Sequence, residues 1–129
     1  LLIKKPYQDL IDFSKLSGGL LLRGFLSFYV LSLLAEKKMY GKQIIDQITN
    51  MTRGEWKPSP GSIYPVLQKM VRLGLVTVYV GNVKGQSTRV YELTGLGRDA
   101  LNDMRKEIKP RLKKTIELLN QHLLELEKV

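Results

Sequence analysis

Tyr64, Gln68, Lys69 and Arg72 follow one another at steps of four, one and three, which gathers them on one side of an α-helix. Their chemistry is recognition rather than bond-making. A phenol, an amide, an ammonium and a guanidinium all donate hydrogen bonds, and the first two also accept them. The surrounding charge has one sign. Between positions 53 and 89 the bases are Arg53, Lys57, Lys69, Arg72, Lys84 and Arg89, and the sole acid is Glu55, so +5 of the chain's net +9 falls in this stretch. Such a surface suits a polyanion, with nucleic acid ahead of an anionic membrane; a basic chain without such a partner is the plainer alternative.

Ser59-Pro60-Gly61-Ser62 precedes that face and gives the helix a particular entrance. Ser59 or Ser62 can cap it, and either Pro60 or Pro65 fits the first turn, where a missing N–H costs little. The unpaired N–H groups of a helix start favour a phosphate, and Gly61 removes bulk where a sugar-phosphate strand would pass. On the wheel Ile63, Val66, Leu67, Met70, Val71 and Leu73 face a core. Gly61, Tyr64, Pro65, Gln68, Lys69 and Arg72 face away. This is the pattern of a helix laid in a major groove, with Ser62, Tyr64 and Gln68 placed for base edges and Lys84 and Arg89 for phosphates.

Catalytic chemistry finds little support. There is no cysteine, which excludes disulfides, thiolate nucleophiles and cysteine-ligated zinc. No glycine-rich dinucleotide loop, phosphate loop or nucleophile–base pair is present. His122, the one histidine, makes a His-x-x-Glu pair with Glu125 but lacks further ligands, so neither metal nor cofactor is expected. The most apolar stretch, Leu20 to Ala35, contains Arg23 and falls short of the roughly 20 residues of a spanning helix. No secretory signal is read, and a cytoplasmic location away from any membrane is expected.

The elements that must hold the basic face follow from periodicity. Pro6, Tyr7, Leu10, Ile11 and Ser14 suggest a short helical arm over 1–19, ended by Ser17-Gly18-Gly19. Leu20 to Lys37 reads as a central helix, apolar nearly all round. Tyr40, Ile44, Ile48 and Met51 mark a second helix from Tyr40 to Thr52, broken by Gly54. The third runs to Leu73 and stops at Gly74. Residues 76–80 and 88–93 alternate as strands around a polar loop over 81–87, and Thr94 caps a last helix that is bent near Pro110. The fold class expected is mainly α (α+β): a winged helix-turn-helix with a two-stranded β wing over 20–94, then a long C-terminal dimerisation helix over 95–129.

Within this frame residues 24–101 resemble the PadR family of winged-helix transcriptional regulators. The motifs are Tyr40-Gly41, Gly54-Glu55-Trp56, Ser59-Pro60-Gly61-Ser62-Ile63-Tyr64-Pro65 with Leu67, Gly74-Leu75, and Tyr91-Glu92-Leu93-Thr94 with Gly97. The resemblance implies a homodimeric regulator of double-stranded DNA, usually a repressor, which in some members releases DNA on binding an aromatic ligand. The sequence departs from the family after Gly85, where Gln86, Ser87 and Thr88 replace a more basic wing, and in its longer prefix. A module that binds DNA without reading sequence, or binds protein instead, is therefore the alternative.

The last helix has its own pattern. Leu101, Met104 and Ile108 form one seam, and Leu112, Ile116, Leu119, Leu123 and Leu126 a second, with Pro110 at the phase change between them. So long a helix outruns its domain, and a second copy of the chain is the expected cover, with the prefix as the alternative. Trp56, the one tryptophan, reads first as a core plug. It could instead line a cavity between subunits for a small aromatic effector, with Phe25, Phe28 or Met104 nearby.

Overall fold

Apolar residues on every side of the first helix predict burial all round, but only one side is fully buried and the other is half-buried. Val30, Leu31, Leu33 and Leu34 of α1 (Leu26–Glu36) are all buried in the computed structural model, which describes residues 22–129. The arm expected over 1–19 lies outside the described residues, as does Leu20; the helix expected to run unbroken from Leu20 is interrupted by a turn at Gly24-Phe25 and continues only from Leu26. A two-residue strand β1 (Met39–Tyr40) leads into α2 (Gly41–Met51), α3 (Pro60–Arg72), the hairpin β2 (Val76–Val83) and β3 (Gln86–Leu93), and α4 (Gly95–Leu126).

The core gathers Val30 and Leu31 of α1, Ile44 and Ile48 of α2, Ile63 and Leu67 of α3, Val76, Tyr91 and Leu101. In α2 the buried stripe uses Ile45 where Met51 was expected, and Met51 is exposed in the last turn. The end of α2 is a hydrogen-bonded cap. Arg53 at φ 53° and Gly54 at φ 77° turn the chain, while the Gly54 N–H reaches the Thr49 carbonyl at 2.8 Å and the Arg53 N–H the Asn50 carbonyl at 3.1 Å. The stop after α3 has the same pattern: Leu75 N–H bonds the Met70 carbonyl at 2.9 Å, and Gly74, at φ 75°, bonds that of Val71 at 3.1 Å. That turn swings Leu73 out to 55% exposure, against its expected place in the core.

The wing is the hairpin expected, with two differences. Strand pairing extends to Val83 opposite Gln86, so the loop is only Lys84-Gly85, not residues 81–87. Both residues have positive φ, 52° and 80°, the backbone of a tight turn whose twist matches the strands. At its base β1 adds a third antiparallel strand, with Met39 opposite Tyr91 and Tyr40 opposite Val90, in the order β1-β3-β2.

Candidate nucleic-acid interface

The entrance of α3 resolves the choice between the two serines. Ser59 is the cap: its Oγ accepts the Ser62 N–H at 3.2 Å and lies 3.1 Å from the Ser62 hydroxyl. Pro60 takes the first helical position, where its missing N–H is harmless. Pro65 then falls inside the helix, leaving the Gly61 carbonyl without its usual donor four residues on, and both residues lie on the exposed face. Ile63, Leu67 and Met70 are buried opposite them.

The chain reaches this entrance along a buried strap. Trp56 is 9% exposed, and the Thr52 hydroxyl accepts its N–H at 3.2 Å while its single proton is shared among the carbonyls of Ile48 at 3.0 Å, Trp56 at 3.1 Å and Thr49 at 3.2 Å. Thr52→Val keeps the shape but leaves the buried Trp56 N–H without its acceptor. It should cost about 2 kcal/mol, measured by thermal or urea unfolding.

All the residues expected to meet nucleic acid are exposed: Lys57, Ser59, Gly61, Ser62, Tyr64, Pro65, Gln68, Lys69, Arg72, Lys84 and Arg89. Two of them gain a sharper description. Tyr64 is half committed to the fold, because its ring lies on Gly41 at the start of α2. A Cβ on Gly41 would stand 2.5 Å from the phenol oxygen and 2.8 Å from two ring carbons. The Tyr40-Gly41 motif thus admits the tyrosine that locks α3 to α2. Gly61 is the reverse case, since a Cβ there would meet only Ser59 Oγ at 3.7 Å. The fold itself makes no demand for glycine at that position.

Arg23 joins the surface, and Tyr91, although buried, lines a notch in it. Arg23, Lys57, Ser59 and Ser62 rim a concavity of about 360 Å³ at the α3 entrance, floored by Leu26 and Trp56. Arg23 comes from ahead of α1, too far along the chain for spacing to reveal it. Tyr91 reaches the opposite end of α3, where the sequence shows it only as a strand residue. Lys38 supports the hairpin from beneath, its ammonium 5.6 Å from the centre of the Tyr79 ring. The adjacent Tyr79 phenol holds its pKa above the ordinary lysine value.

The other expected groupings divide. Phe25 and Phe28 line an apolar cavity of about 490 Å³ with Ile108, Leu112 and Ile116, rimmed by Arg105, Lys109 and Lys113. Trp56 does not line it, and neither does Met104, which packs against the core. Within the single chain the four residues therefore do not share one cavity, because Trp56 is buried beside the α3 entrance. Along α4, Leu101 is in the core and Met104, Ile108 and Leu112 are half-buried. Ile116, Leu119, Leu123 and Leu126 are 49%, 57%, 54% and 81% exposed. His122 is bound to its own helix, with Nδ1 2.7 Å from the Leu118 carbonyl, and no group of metal-binding side chains forms among the described residues. Nor, among those residues, is any helix long and apolar enough to cross a membrane.

A family model described as "Transcriptional regulator PadR-like family" matches residues 30–103. The transcriptional regulator Rv3488 of Mycobacterium tuberculosis is 28% identical over 86 residues, 67% of this chain and 78% of that protein. The transcriptional regulator YqjI of Escherichia coli is 36% identical over 55 residues, 43% of this chain but only 27% of the larger protein. The crystal structure of a PadR family transcription regulator from Clostridium difficile superimposes with a TM-score of 0.64 at 27% identity, covering 74% of this chain and 98% of the other.

Proposed function

This chain belongs to the PadR-like family of transcriptional regulators, not to a family of enzymes, and we propose that it is a homodimeric, sequence-specific DNA-binding repressor. The observation that carries this reading is the exposed face of α3. Tyr64, Gln68, Lys69 and Arg72 share it with no carboxylate, while the opposite face is core. That helix lies in the major groove, with Gln68 and Ser62 on base edges and the hairpin tip, Lys84, on the backbone. Gly61 supports the same reading: the fold leaves room for a side chain, so the close approach of a DNA strand supplies the reason for having none.

Residues 20–94 form the reading unit and 95–129 the assembly helix. Ile116 to Leu126 pair with the same segment of a second copy, setting two α3 helices about 34 Å apart, one turn of DNA. Repression follows where that site overlaps a promoter. A small aromatic effector enters beside Phe25 and Phe28, against the helix that sets the dimer angle. One observation favours the rival, a non-specific architectural or protein-binding module: the tip is short and carries Lys84 alone before Gln86 and Ser87.

The test compares two variants on an operator and on random duplex. Gln68→Ala should cost about 1–3 kcal/mol of discrimination and leave random binding nearly intact. Lys69→Ala should weaken both equally and flatten the salt slope by about one unit. Loss of random binding with discrimination unchanged in Gln68→Ala would favour the rival.

A further inference from the structure

The alternation of β3 places Leu93, Tyr91 and Arg89 on one face, opposite Val76, Val78 and Val80 of β2. At the base of the hairpin this face is core, and Val76 and Tyr91 are 1% and 2% exposed. Two residues further on it leaves the core and delivers Arg89 alongside the last turns of α3. There Gln68, Val71 and Arg72, at i, i+3 and i+4, form the facing wall. The two walls enclose a notch of about 240 Å³ lined by Gln68, Val71, Arg72, Val78, Arg89 and Tyr91.

The chemistry of this notch is one-sided. Its floor is valine, its rim holds two guanidiniums and an amide, and no carboxylate lines it. Tyr91 and Arg89 line the notch together; burial keeps the Tyr91 phenol above its ordinary pKa, and the nearby Arg89 guanidinium opposes that rise. Guanidinium forks match the paired oxygens of a phosphate. The position matters equally. A helix in the major groove and a hairpin directed at the neighbouring minor groove must straddle the sugar-phosphate strand that separates them. That strand has to cross between α3 and the wing, where the notch lies.

We propose that this notch is a single-phosphate site, in which Arg72, Arg89 and the Tyr91 hydroxyl hold one phosphodiester of the DNA backbone. The inference rests on the DNA-binding reading and adds to it a third ligand, Tyr91, and a stoichiometry: two arginines on one phosphate. The site fixes the register of α3 in its groove relative to the wing, and it gives the sparsely charged hairpin a second anchor nearer its root than Lys84.

The stoichiometry can be measured. Binding to a random-sequence duplex is followed by fluorescence anisotropy at several KCl concentrations for the wild type, Arg72→Gln, Arg89→Gln, the double variant and Tyr91→Phe. Two arginines on one phosphate predict that the double variant flattens the salt slope by about 0.9 in all, with affinity losses less than additive. Tyr91→Phe should weaken binding at least roughly tenfold, the worth of one hydrogen bond to a charged acceptor, at an unchanged slope and unchanged Tm. A double variant that flattens the slope by about 1.8 with additive losses places the arginines on separate phosphates and overturns the proposal. Full affinity in Tyr91→Phe removes the hydroxyl from the site and overturns it too. Replacing chloride by inorganic phosphate at matched ionic strength should cause no saturable release of DNA. Saturable release that the double variant abolishes would assign the notch to free phosphate instead. A wild-type protein that binds no duplex at all would overturn the DNA reading itself, an outcome distinct from binding with the wrong stoichiometry.

Discussion

Leu119→Asp is expected to halve the mass of the protein in solution and to lower its affinity for a two-site operator by at least a hundredfold. Leu119 is 57% exposed in the single chain, so an aspartate there leaves the fold of one subunit intact. In a paired seam the same carboxylate is buried against leucines of the second copy, where an unpaired charge costs several kcal/mol. The affinity loss follows from valency. Linked reading heads gain about 10²–10⁴ in avidity over a single one, and a monomer forfeits that gain without losing any contact of its own α3. Equilibrium sedimentation gives the mass and anisotropy the affinity. Unchanged mass would show that the exposed leucines of α4 are not the interface. A monomer with undiminished affinity would show that DNA is read by one head.

Gly97→Ala should be the most destabilising single methyl in the described chain. A Cβ at this buried position would run into the Leu75 carbonyl oxygen, with Leu93 Cδ1 at 2.6 Å and the Leu75 carbonyl carbon at 3.0 Å. The obstruction is backbone, held where it is by the Thr94 N–H at 3.1 Å and by the Thr94 hydroxyl bonding the adjacent Gly74 carbonyl at 2.6 Å. The start of α4 would have to lift off the α3–β2 turn, breaking the Gly97 N–H bond to Thr94 Oγ1 at 3.0 Å. Overpacking of this kind costs about 3 kcal/mol, a fall in Tm of roughly 10–15 °C for a domain of this size. Gly95→Ala, two residues earlier with nothing within 4 Å, is the control and should stay within about 0.5 kcal/mol of the parent. Equal melting of the two variants would mean that α4 is not seated on that turn.

These predictions show where the sequence was legible. The three helices, the hairpin and the long last helix follow from apolar spacing with caps at Ser59, Gly74 and Thr94, and each is present. The residues that sequence missed are those whose signal is too short or not local. A two-residue strand has no alternation to read, so β1 was invisible. Polar Asn82 and Lys84-Gly85 read as a loop, although two consecutive left-handed residues make the tightest hairpin and let pairing run to Val83. Leu73 counts as core on a wheel that takes no account of the turn at Gly74. In the candidate site, the α3 face was legible because one helix carries it. Its partners were not: Tyr64 on Gly41, Arg23 beside Ser59, and Arg89 with Tyr91 across from Arg72 each join segments that only the fold brings together.

The most direct measurement of the central claim is wild-type binding to the DNA upstream of its own gene and to random duplex, by fluorescence anisotropy across a range of salt concentrations. A sequence-specific regulator should hold a site there at least roughly a thousandfold more tightly than random DNA at the same salt. Equal affinity for both, falling steeply and in parallel as salt rises, would contradict sequence reading by α3 and leave a protein that holds DNA by its phosphates alone.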